Sequence, residues 1–262
     1  MKYEWILTDA SPAGSLESQY PLAVSRLLVE RGLDTAEKID RFFKPEYERD
    51  LYDPFLLKDM RLACERIHKA VLGQEKIIIY SDYDVDGVSA ATVLSEYFRG
   101  INYPFEIYLP DRQKEGHGVN QNTLEQLIAA GANLIVTLDC GTTNSKEVQW
   151  AKDRGVDMIV VDHHKVIVGR PAAAAFINPH QIGDNYPFKD LCGTGLAFKL
   201  YQGLKKGSEK KGEEKWLLDL VALATVADMV PMLDENRVFV KYGLFVLAKT
   251  KRVGLQMLME SS

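Results

Sequence analysis

Three short apolar runs in the middle of the chain each end at acidic or imidazole side chains. The runs and the side chains that follow them are 77–81 with Asp82, 134–138 with Asp139, and 158–161 with Asp162 and His163. Helical patterns separate these runs, so candidate strands alternate with candidate helices. This alternation predicts a mostly parallel sheet with right-handed crossovers.

We therefore expect an α/β fold, in which helices flank a mostly parallel β-sheet and a helical extension precedes it. The predicted strands are 77–81, 105–109, 134–138, 158–161 and 174–177. The predicted helices are 58–72, 88–98, 121–130, 145–154, 194–205 and 216–229, with two short helices within 20–44 and a helical segment from about 236. The expected regions are an N-terminal extension at 1–72, a core domain at 73–235 and a helical connector beginning at 236–262.

Charge and cysteine usage narrow the class of protein. The net charge is −5, so any contact with nucleic acid must use a local patch, not a basic field over the whole chain. The three cysteines are far apart, which indicates reduced thiols. The first five residues lack a signal-peptide pattern, and no apolar run approaches the roughly 20 residues that span a bilayer. We expect a cytoplasmic protein that does not enter membranes.

The acidic strand ends predict a metal site. Parallel strands bring their carboxyl ends to one edge of the sheet, which is where open α/β sheets bind ligands. A further carboxylate, Asp228, lies in the apolar stretch 221–230, where it is costly unless paired or bound to a cation. Oxygen ligands favour Mg²⁺ or Mn²⁺, and an imidazole favours Mn²⁺. Two such ions, about 3.5–4 Å apart, would suit phosphoester hydrolysis.

Each residue also has a simpler interpretation. Asp139 alone could be a turn or cap residue, and His163 with His164 could be a solvated loop pair. The function of Gly87 could simply be to permit a turn. Asp86 could simply cap the following helix, so a metal role for Asp86 stays open. The metal-site hypothesis depends on three such clusters sharing one sheet edge.

The ordered motifs resemble those of the DHH phosphoesterase superfamily, which hydrolyses phosphodiesters or pyrophosphate with Mn²⁺ or Mg²⁺. These motifs are Asp82-x-Asp84-x-x-Gly87, the isolated Asp139, Asp162-His163-His164 and the later Asp228. Within the superfamily, longer strings resemble the RecJ family of single-strand-specific exonucleases. These strings are SDYDVDG at 81–87, LCGTG at 191–195, LVALATVADMVP at 220–231 with Glu235-Asn236-Arg237, and Asp53-Pro54-Phe55 with the paired helices before it.

This resemblance, which covers nearly the whole chain, implies residue roles. The implied metal ligands are Asp82, Asp84, Asp139, His163 and Asp228, and the implied catalytic residues are Asp84, Asp139, His163 and His164. His164 matches the position that contacts the attacked phosphate. Further substrate contacts are implied at Arg112, His117, Gly193, Thr194 and Gly195. The position of His117 is usually aromatic in the RecJ family, so a stacking ring is one role open to it.

The resemblance also implies a reaction and partners. The expected activity is 5′-to-3′ exonuclease action on single-stranded DNA in repair and recombination, with two Mn²⁺ or Mg²⁺ ions per site. DNA is expected over RNA, and a single-strand-binding protein or a helicase is an expected partner of the full-length protein. The superfamily's second domain and the OB-type domain of RecJ are not in this sequence, so it is expected to be the catalytic domain alone.

Other functions are compatible with parts of the pattern. One is a DHH-family phosphodiesterase of short oligonucleotides or cyclic dinucleotides, and another is a pyrophosphatase. A haloacid-dehalogenase-type phosphatase would use Asp82 as nucleophile and Asp84 as acid/base, but it leaves His163 and Asp228 without a role. A non-enzymatic binding module should have lost ligands, whereas this set is complete.

Overall fold

The computed structural model describes residues 19–167, 169–207 and 212–261. Residues 1–18 lie outside the described residues. Two predictions concern these residues, namely the absence of a signal peptide and the first part of the extension expected at 1–72, and both therefore fall outside the described residues as well. Contacts divide the chain into two compact units, Met1–Asp50 and Leu51–Ser262. Helix Met60–Leu72 falls in the second unit, and the extension at 1–72 and the connector at 236–262 stay predictions.

The first unit is helical in its described part. Its helices are α1 Leu22–Glu30, α2 Ala36–Phe43 and α3 Tyr47–Asp50. Between α1 and α2 the chain turns at Gly32, whose φ of +72° favours glycine. Thr35 then starts α2, because its hydroxyl accepts a hydrogen bond from the Lys38 amide at 3.2 Å. Two short helices are thus present within 20–44, as the sequence predicts.

The second unit carries a five-stranded sheet and most of the helices. Its strands are β1 Ile77–Ser81, β2 Glu106–Tyr108, β3 Leu134–Leu138, β4 Asp157–Val161 and β5 Ala175–Ile177. Its α-helices are α4 Met60–Leu72, α5 Val85–Gly100, α6 Gln121–Ala129, α7 Ser145–Lys152, α8 Gly193–Leu204, α9 Leu218–Ala227, α10 Asp234–Leu247 and α11 Val253–Glu260, and 3₁₀ turns lie at Pro54–Leu56 and Glu213–Leu217. Within the described residues, none of these helices is long and apolar enough to cross a membrane.

The strands pair in the order β2-β1-β3-β4-β5, and every pair is parallel. Ser81 pairs with Leu138, which pairs with Val161, so β1, β3 and β4 end level with one another. Nearly all side chains of these strands are buried, as in parallel sheets that are covered on both faces. The expected α/β fold is confirmed, and the three strands with acidic or imidazole ends are neighbours in the sheet.

Helices α8 and α10 share a buried charged network. Lys199 is fully buried and donates hydrogen bonds to the Glu235 carboxylate and to the Tyr52 carbonyl. Glu235 also accepts from the Tyr186 hydroxyl at 2.6 Å and from the Tyr52 amide at 2.8 Å. Burial raises the pKa of Glu235 and lowers that of Lys199. The network joins α8 to α10, and removing one partner would leave a buried charge unpaired, which is strongly destabilising.

Several boundaries differ from the prediction. The predicted helix 216–229 begins within the 3₁₀ turn Glu213–Leu217 and continues as α9 Leu218–Ala227. Helix α5 begins at Val85 instead of Val88, because the Asp84 side chain caps it. The segment from about residue 236 was expected to be one helical segment, but it forms α10 and α11. Between them, Thr250 and Arg252 both donate to the buried Asp219 carboxylate on α9, at 2.7 and 3.2 Å. These bonds turn the chain, so a single helix cannot continue.

Candidate metal centre

The end of β1 supplies three carboxylates within five residues. Asp82 is buried, and its carboxylate accepts a hydrogen bond from the Tyr83 amide at 2.8 Å. Asp84 is exposed and caps α5 by accepting from the Gly87 amide at 2.9 Å. A Cβ atom at Gly87 would lie 2.3 Å from the Asp82 carbonyl oxygen. Glycine is therefore required where the first turn of α5 approaches the Asp82 backbone.

The end of β3 places a strained and buried aspartate beside them. Asp139 has a φ of +59°, in the left-handed region that few residues other than glycine, asparagine and aspartate adopt readily. Its Oδ1 is buried and has no hydrogen-bond partner among the described residues, although His163 Nε2 lies 3.1 Å away. Burial, followed by the charges of Asp86, Asp84 and Asp162, raises the pKa of Asp139 to about 11. A cation at this position would stabilise the ionised form.

The end of β4 holds two histidines in different settings. His163 points towards the acidic cluster, with Nε2 at 3.7 Å from Asp228 Oδ2 and 3.8 Å from Asp86 Oδ2. His164 is more exposed, and its Nδ1 lies 2.7 Å from Asp162 Oδ1. Burial opposes ionisation of Asp162, but the His164 contact outweighs it and lowers the pKa of Asp162 to about 2. The same hydrogen bond raises the pKa of His164.

Asp228 closes the cluster from the end of α9. It occupies the C-cap position, where the partial negative charge of the helix end disfavours a carboxylate. Burial also raises its pKa, and the negative charges of Asp86 and Asp84 add to this effect, whereas His163 opposes it. Both effects make an isolated Asp228 carboxylate unfavourable. A neighbouring cation would remove the penalty.

Asp86, whose role the sequence left open, is not the cap of α5 but lies buried in its first turn. Its carboxylate accepts hydrogen bonds from the amides of Gly193 and Thr194, at 2.6 and 2.8 Å, at the start of α8. The Thr194 hydroxyl donates to the Asp86 carbonyl at 2.7 Å. Asp86 thus joins α5 to α8 and also faces His163.

The same contacts change the interpretation of residues 193–195, which were expected to approach a nucleic-acid chain. Gly193, Thr194 and Gly195 are buried, and their amides bond to Asp86 or to Cys192 Sγ. A Cβ atom at Gly193 would lie 2.7 Å from Asp139 Oδ1. The segment packs against the acidic cluster with its three amides already donated inside the protein, and its role as a substrate contact stays a prediction.

The described residues form three groups whose potential ligand atoms lie within 4.8 Å of one another. The groups are Asp82 with Asp84 and Asp139; Asp86 with His163 and Asp228; and Asp139 with His163 and His164. Carboxylate oxygens with one or two imidazoles suit Mn²⁺ or Mg²⁺. The unpartnered Asp139 Oδ1 adds a buried acceptor that a cation would satisfy. The side chains present therefore fit divalent ions.

A rim of exposed side chains stands beside Asp82. His117 contacts Asp82 Oδ2 through Nδ1 at 3.0 Å and the Tyr83 hydroxyl through Nε2 at 2.5 Å. The two rings are 4.7 Å apart, and the Arg112 guanidinium lies 5.7 Å from the Tyr83 ring centroid. His117 thus contacts the acidic cluster directly and Arg112 lies next to Tyr83, and their roles as substrate contacts stay predictions. Tyr83 was not predicted, and its position between Asp82 and Asp84 was the only signal in the sequence.

A cleft of about 560 Å³ opens beside Asp82 and Asp139, and His117 also lines it. It runs past the β3–α7 loop to the residues that follow His164. Its walls also include Thr143, Asn144, Lys165 and Ile167, none of which the sequence singled out. These residues follow the recognisable motifs directly but belong to no motif, so only the folded chain shows that they share a cavity.

Comparison with known proteins follows this geometry. Residues 76–225 match the model of the DHH family, N-terminal domain. The single-stranded-DNA-specific exonuclease RecJ of Bacillus subtilis (strain 168) is 41% identical over 264 residues, which cover 100% of this chain but 33% of that protein. The chain therefore spans a third of this relative.

Solved structures show the same similarity. A crystal structure of exonuclease RecJ bound to manganese superposes with a TM-score of 0.72 and 29% identity, covering 78% of this chain and 52% of that one. RecJ from Thermus thermophilus in complex with Mn²⁺ also gives a TM-score of 0.72, with 26% identity over 89% of this chain and 32% of that one. In both comparisons the similarity extends over most of the chain.

Proposed function

Since the chain belongs to the DHH family, we propose that it carries the phosphodiesterase centre of a RecJ-type exonuclease, which hydrolyses single-stranded DNA with Mn²⁺ or Mg²⁺. The observation that carries the proposal is the meeting of three strand ends and one helix end around the buried, unpartnered Asp139 Oδ1. Relatives named as single-stranded-DNA-specific exonucleases, and RecJ structures with Mn²⁺, support it.

We assign two neighbouring ion positions to the cluster. Asp82, Asp84 and Asp139 would hold one ion, and His163 with Asp228 would hold the other, where Asp86 also offers an oxygen. Divalent ions at such positions supply Lewis acidity to the phosphoryl group and acidify water. Asp86 is already held by two amides of α8, so its main contribution is to fix α5 against α8.

His164 is proposed to act on the attacked phosphate. Its Nδ1 is engaged with Asp162, which fixes the ring and favours the protonated form. A protonated ring donates from both nitrogens, so Nε2 can donate to a phosphoryl oxygen as negative charge develops there. Asn178 holds the backbone at the same point, because its side-chain amide donates to the His164 carbonyl at 2.8 Å.

The finer details of the activity rest on the family. They are 5′-to-3′ polarity, preference for DNA over RNA, a role in repair and recombination, and partnership with a single-strand-binding protein or a helicase. The cleft does not by itself select a long strand over a short oligonucleotide. Hydrolysis of short oligonucleotides or cyclic dinucleotides is therefore the second candidate, favoured by a cavity of about 560 Å³ beside the acidic cluster.

The test is Mn²⁺-dependent cleavage of single-stranded DNA, duplex DNA, single-stranded RNA and dinucleotides, each carrying a label at one end. We expect cleavage of single-stranded DNA that disappears on chelation and in Asp139→Asn. Asparagine keeps the shape of the side chain and tolerates the left-handed backbone, so this variant mainly removes the capacity to act as an anionic ligand. Cleavage confined to dinucleotides would favour the second candidate. Cleavage that survives Asp139→Asn would contradict the proposed centre.

A further inference from the structure

We propose that Lys165 binds a second phosphate of the substrate, next to the one that is attacked. The inference deepens the proposed function and rests on it for the position of the attacked phosphate. Lys165 is exposed, follows His164 directly, and lines the cleft beside Asp139. The observations that carry the inference are the charges of this cleft, the pairing of nearby cations and the fixed backbone at His164.

The cleft needs a positively charged group in order to hold a nucleic-acid strand. The five carboxylates of the two proposed ion positions are Asp82, Asp84, Asp86, Asp139 and Asp228. They carry more negative charge than two divalent cations can balance. The attacked phosphate would be shielded by the ions, but the next phosphate along the strand would not. A polyanion enters such a cleft only where another cation compensates its charge.

Lys165 is the one lysine or arginine among the residues that line this cleft. It has no hydrogen bond or ion pair with any residue the structure describes. Two other cations on the chain after Lys165 are engaged in ion pairs, since Arg170 pairs with Asp59 at 2.8 Å and Lys189 pairs with Asp184. Lys165 is thus left available for a ligand, in the wall of the cavity that adjoins the acidic cluster.

The backbone that carries Lys165 is held in place. The carbonyl of the preceding residue, His164, accepts from Asn178, and the His164 amide donates to Asp162 at 3.2 Å. Asn178 is itself fully buried and also donates to the Thr142 hydroxyl at 3.0 Å. Only the Lys165 side chain must therefore be ordered on binding, which lowers the entropic cost of a phosphate contact.

The position of Lys165 also suits the spacing of phosphates along a nucleic-acid strand. His164 and Lys165 are consecutive, so a phosphate at His164 would leave Lys165 within reach of a neighbouring phosphate. The cleft continues from this point to Ile167, whose side chain is 80% exposed. An exposed apolar side chain beyond the lysine can contact a nucleoside, while the ammonium group contacts the phosphate.

The experiment compares thymidine trinucleotides in which one linkage or the other is an uncharged methylphosphonate. Equilibrium binding is measured by fluorescence anisotropy with Mn²⁺ at low salt, and product analysis verifies that the trinucleotide is intact. We expect Lys165→Gln to weaken binding of the natural trinucleotide roughly tenfold, as for loss of one hydrogen bond to a charged group. One of the two methylphosphonate trinucleotides should bind the wild-type protein more weakly than the natural trinucleotide, by the same factor. The Lys165→Gln variant should bind that trinucleotide and the natural one equally well.

The controls separate this contact from general charge effects. Lys152→Gln removes an exposed lysine at the far end of α7 and should leave binding unchanged, and Lys165→Arg should restore it. Hydrolysis of bis(p-nitrophenyl) phosphate, which has a single phosphate, should be unaffected by Lys165→Gln.

Equal losses on this ester and on the trinucleotide would overturn the inference, as would additive losses from the methylphosphonate and Lys165→Gln. Absence of wild-type binding would also overturn it. Binding that depends on Lys165 without any cleavage would support the subsite and contradict the proposed nuclease.

Discussion

The conformation of Asp139 concentrates several unfavourable features in one side chain. It combines a left-handed backbone, almost complete burial and an oxygen without a hydrogen-bond partner among the described residues. Backbone and electrostatic strain of this kind persists where the surroundings enforce it, and it is concentrated at functional sites. The simplest compensation is a bound cation, so metal binding should stabilise the folded chain.

We predict that Asp139→Asn raises the melting temperature of the metal-free protein and removes the stabilisation by Mn²⁺. Burial and the charges of Asp86, Asp84 and Asp162 raise the pKa of the folded carboxyl to about 11, so at neutral pH the metal-free protein folds at the cost of protonating Asp139. An amide avoids that cost, whereas the anionic ligand for Mn²⁺ is lost. Thermal unfolding with and without Mn²⁺ measures both effects. Asp153→Asn, an exposed change at the end of α7, is the control and should alter neither. Retention of the full Mn²⁺ stabilisation by Asp139→Asn would remove Asp139 from the ligand set.

The two adjacent histidines should separate metal binding from turnover. We predict that His163→Ala weakens Mn²⁺ binding strongly, because its Nε2 faces Asp139, Asp228 and Asp86. His164→Ala should keep most of the Mn²⁺ affinity but lose at least roughly tenfold in the rate of cleavage, as for loss of one group that stabilises the transition state. Calorimetry with Mn²⁺ and single-turnover cleavage distinguish the two roles. Equal losses of Mn²⁺ affinity would contradict this division.

The residues that could be predicted from sequence are those in ordered motifs at strand ends. Their meeting follows from parallel strands, so the sequence alone could place Asp82, Asp139 and His163 at one edge of the sheet. The contact of Asp86 with α8 could not be predicted, because it joins residues more than a hundred positions apart in the chain. The exposure of Lys165 in a cleft depends on how loops fold, which local pattern does not determine.

At the scale of elements, the start of α8 is the support on which the acidic cluster rests. Gly193 lies against Asp139 and donates its amide to Asp86. Gly195 has ordinary packing distances, because a Cβ atom there would lie 3.4 Å from the Leu191 side chain. Replacing a glycine in a helix by alanine normally stabilises by about 0.5–1 kcal/mol. The difference between the two positions therefore comes from their surroundings.

We predict that Gly193→Ala destabilises the protein and weakens Mn²⁺ binding, since its Cβ would lie 2.7 Å from Asp139 Oδ1. Gly195→Ala is the matched variant, slightly further along the same helix, and should stay within about 1 kcal/mol of wild type. Chemical denaturation and Mn²⁺ titration measure the two effects. Similar behaviour of the two variants would show that α8 does not press on Asp139.

Element order and type could be predicted well, because alternating apolar runs and helical patterns are strong in residues 73–205. The ends of the elements were harder to predict than their order. At the start of α5, Asp84 caps the helix and is also a proposed ligand, and these two interpretations of one residue compete in the sequence. The split between α10 and α11 could not be predicted from local pattern. It depends on the tertiary bonds from Thr250 and Arg252 to Asp219.

At the scale of the whole molecule, the net charge of −5 opposes the proposed substrate. Single-stranded nucleic acid is normally retained by a positive groove with stacking rings, and phosphate neutralisation supplies much of the affinity. Among the described residues, the cations and rings identified near the acidic cluster are Arg112, Tyr83, His117 and Lys165. When contacts far from the attacked phosphate are missing, turnover falls as well as affinity, because their binding energy helps to orient the reacting phosphate.

We predict that this chain binds single-stranded DNA weakly and cleaves it slowly, although it carries every residue of the two proposed ion positions. Binding should fall steeply as salt rises, because the few contacts are electrostatic. The measurement compares this chain, at fixed salt, with a longer protein that includes the length of the B. subtilis relative beyond the third matched here. Equal catalytic efficiency in the two would show that the cleft described above is sufficient by itself.

The order of the site residues along the chain has a consequence for biosynthesis. All five strands are complete at Ile177, but the last proposed ligand, Asp228, is the final cap of α9. At roughly 5–20 residues per second, a ribosome needs on the order of 3–10 seconds to pass from one to the other. The ion site therefore cannot be complete before α9 has been synthesised, whatever part of the sheet has paired by then. Full metal loading waits for the synthesis of α9.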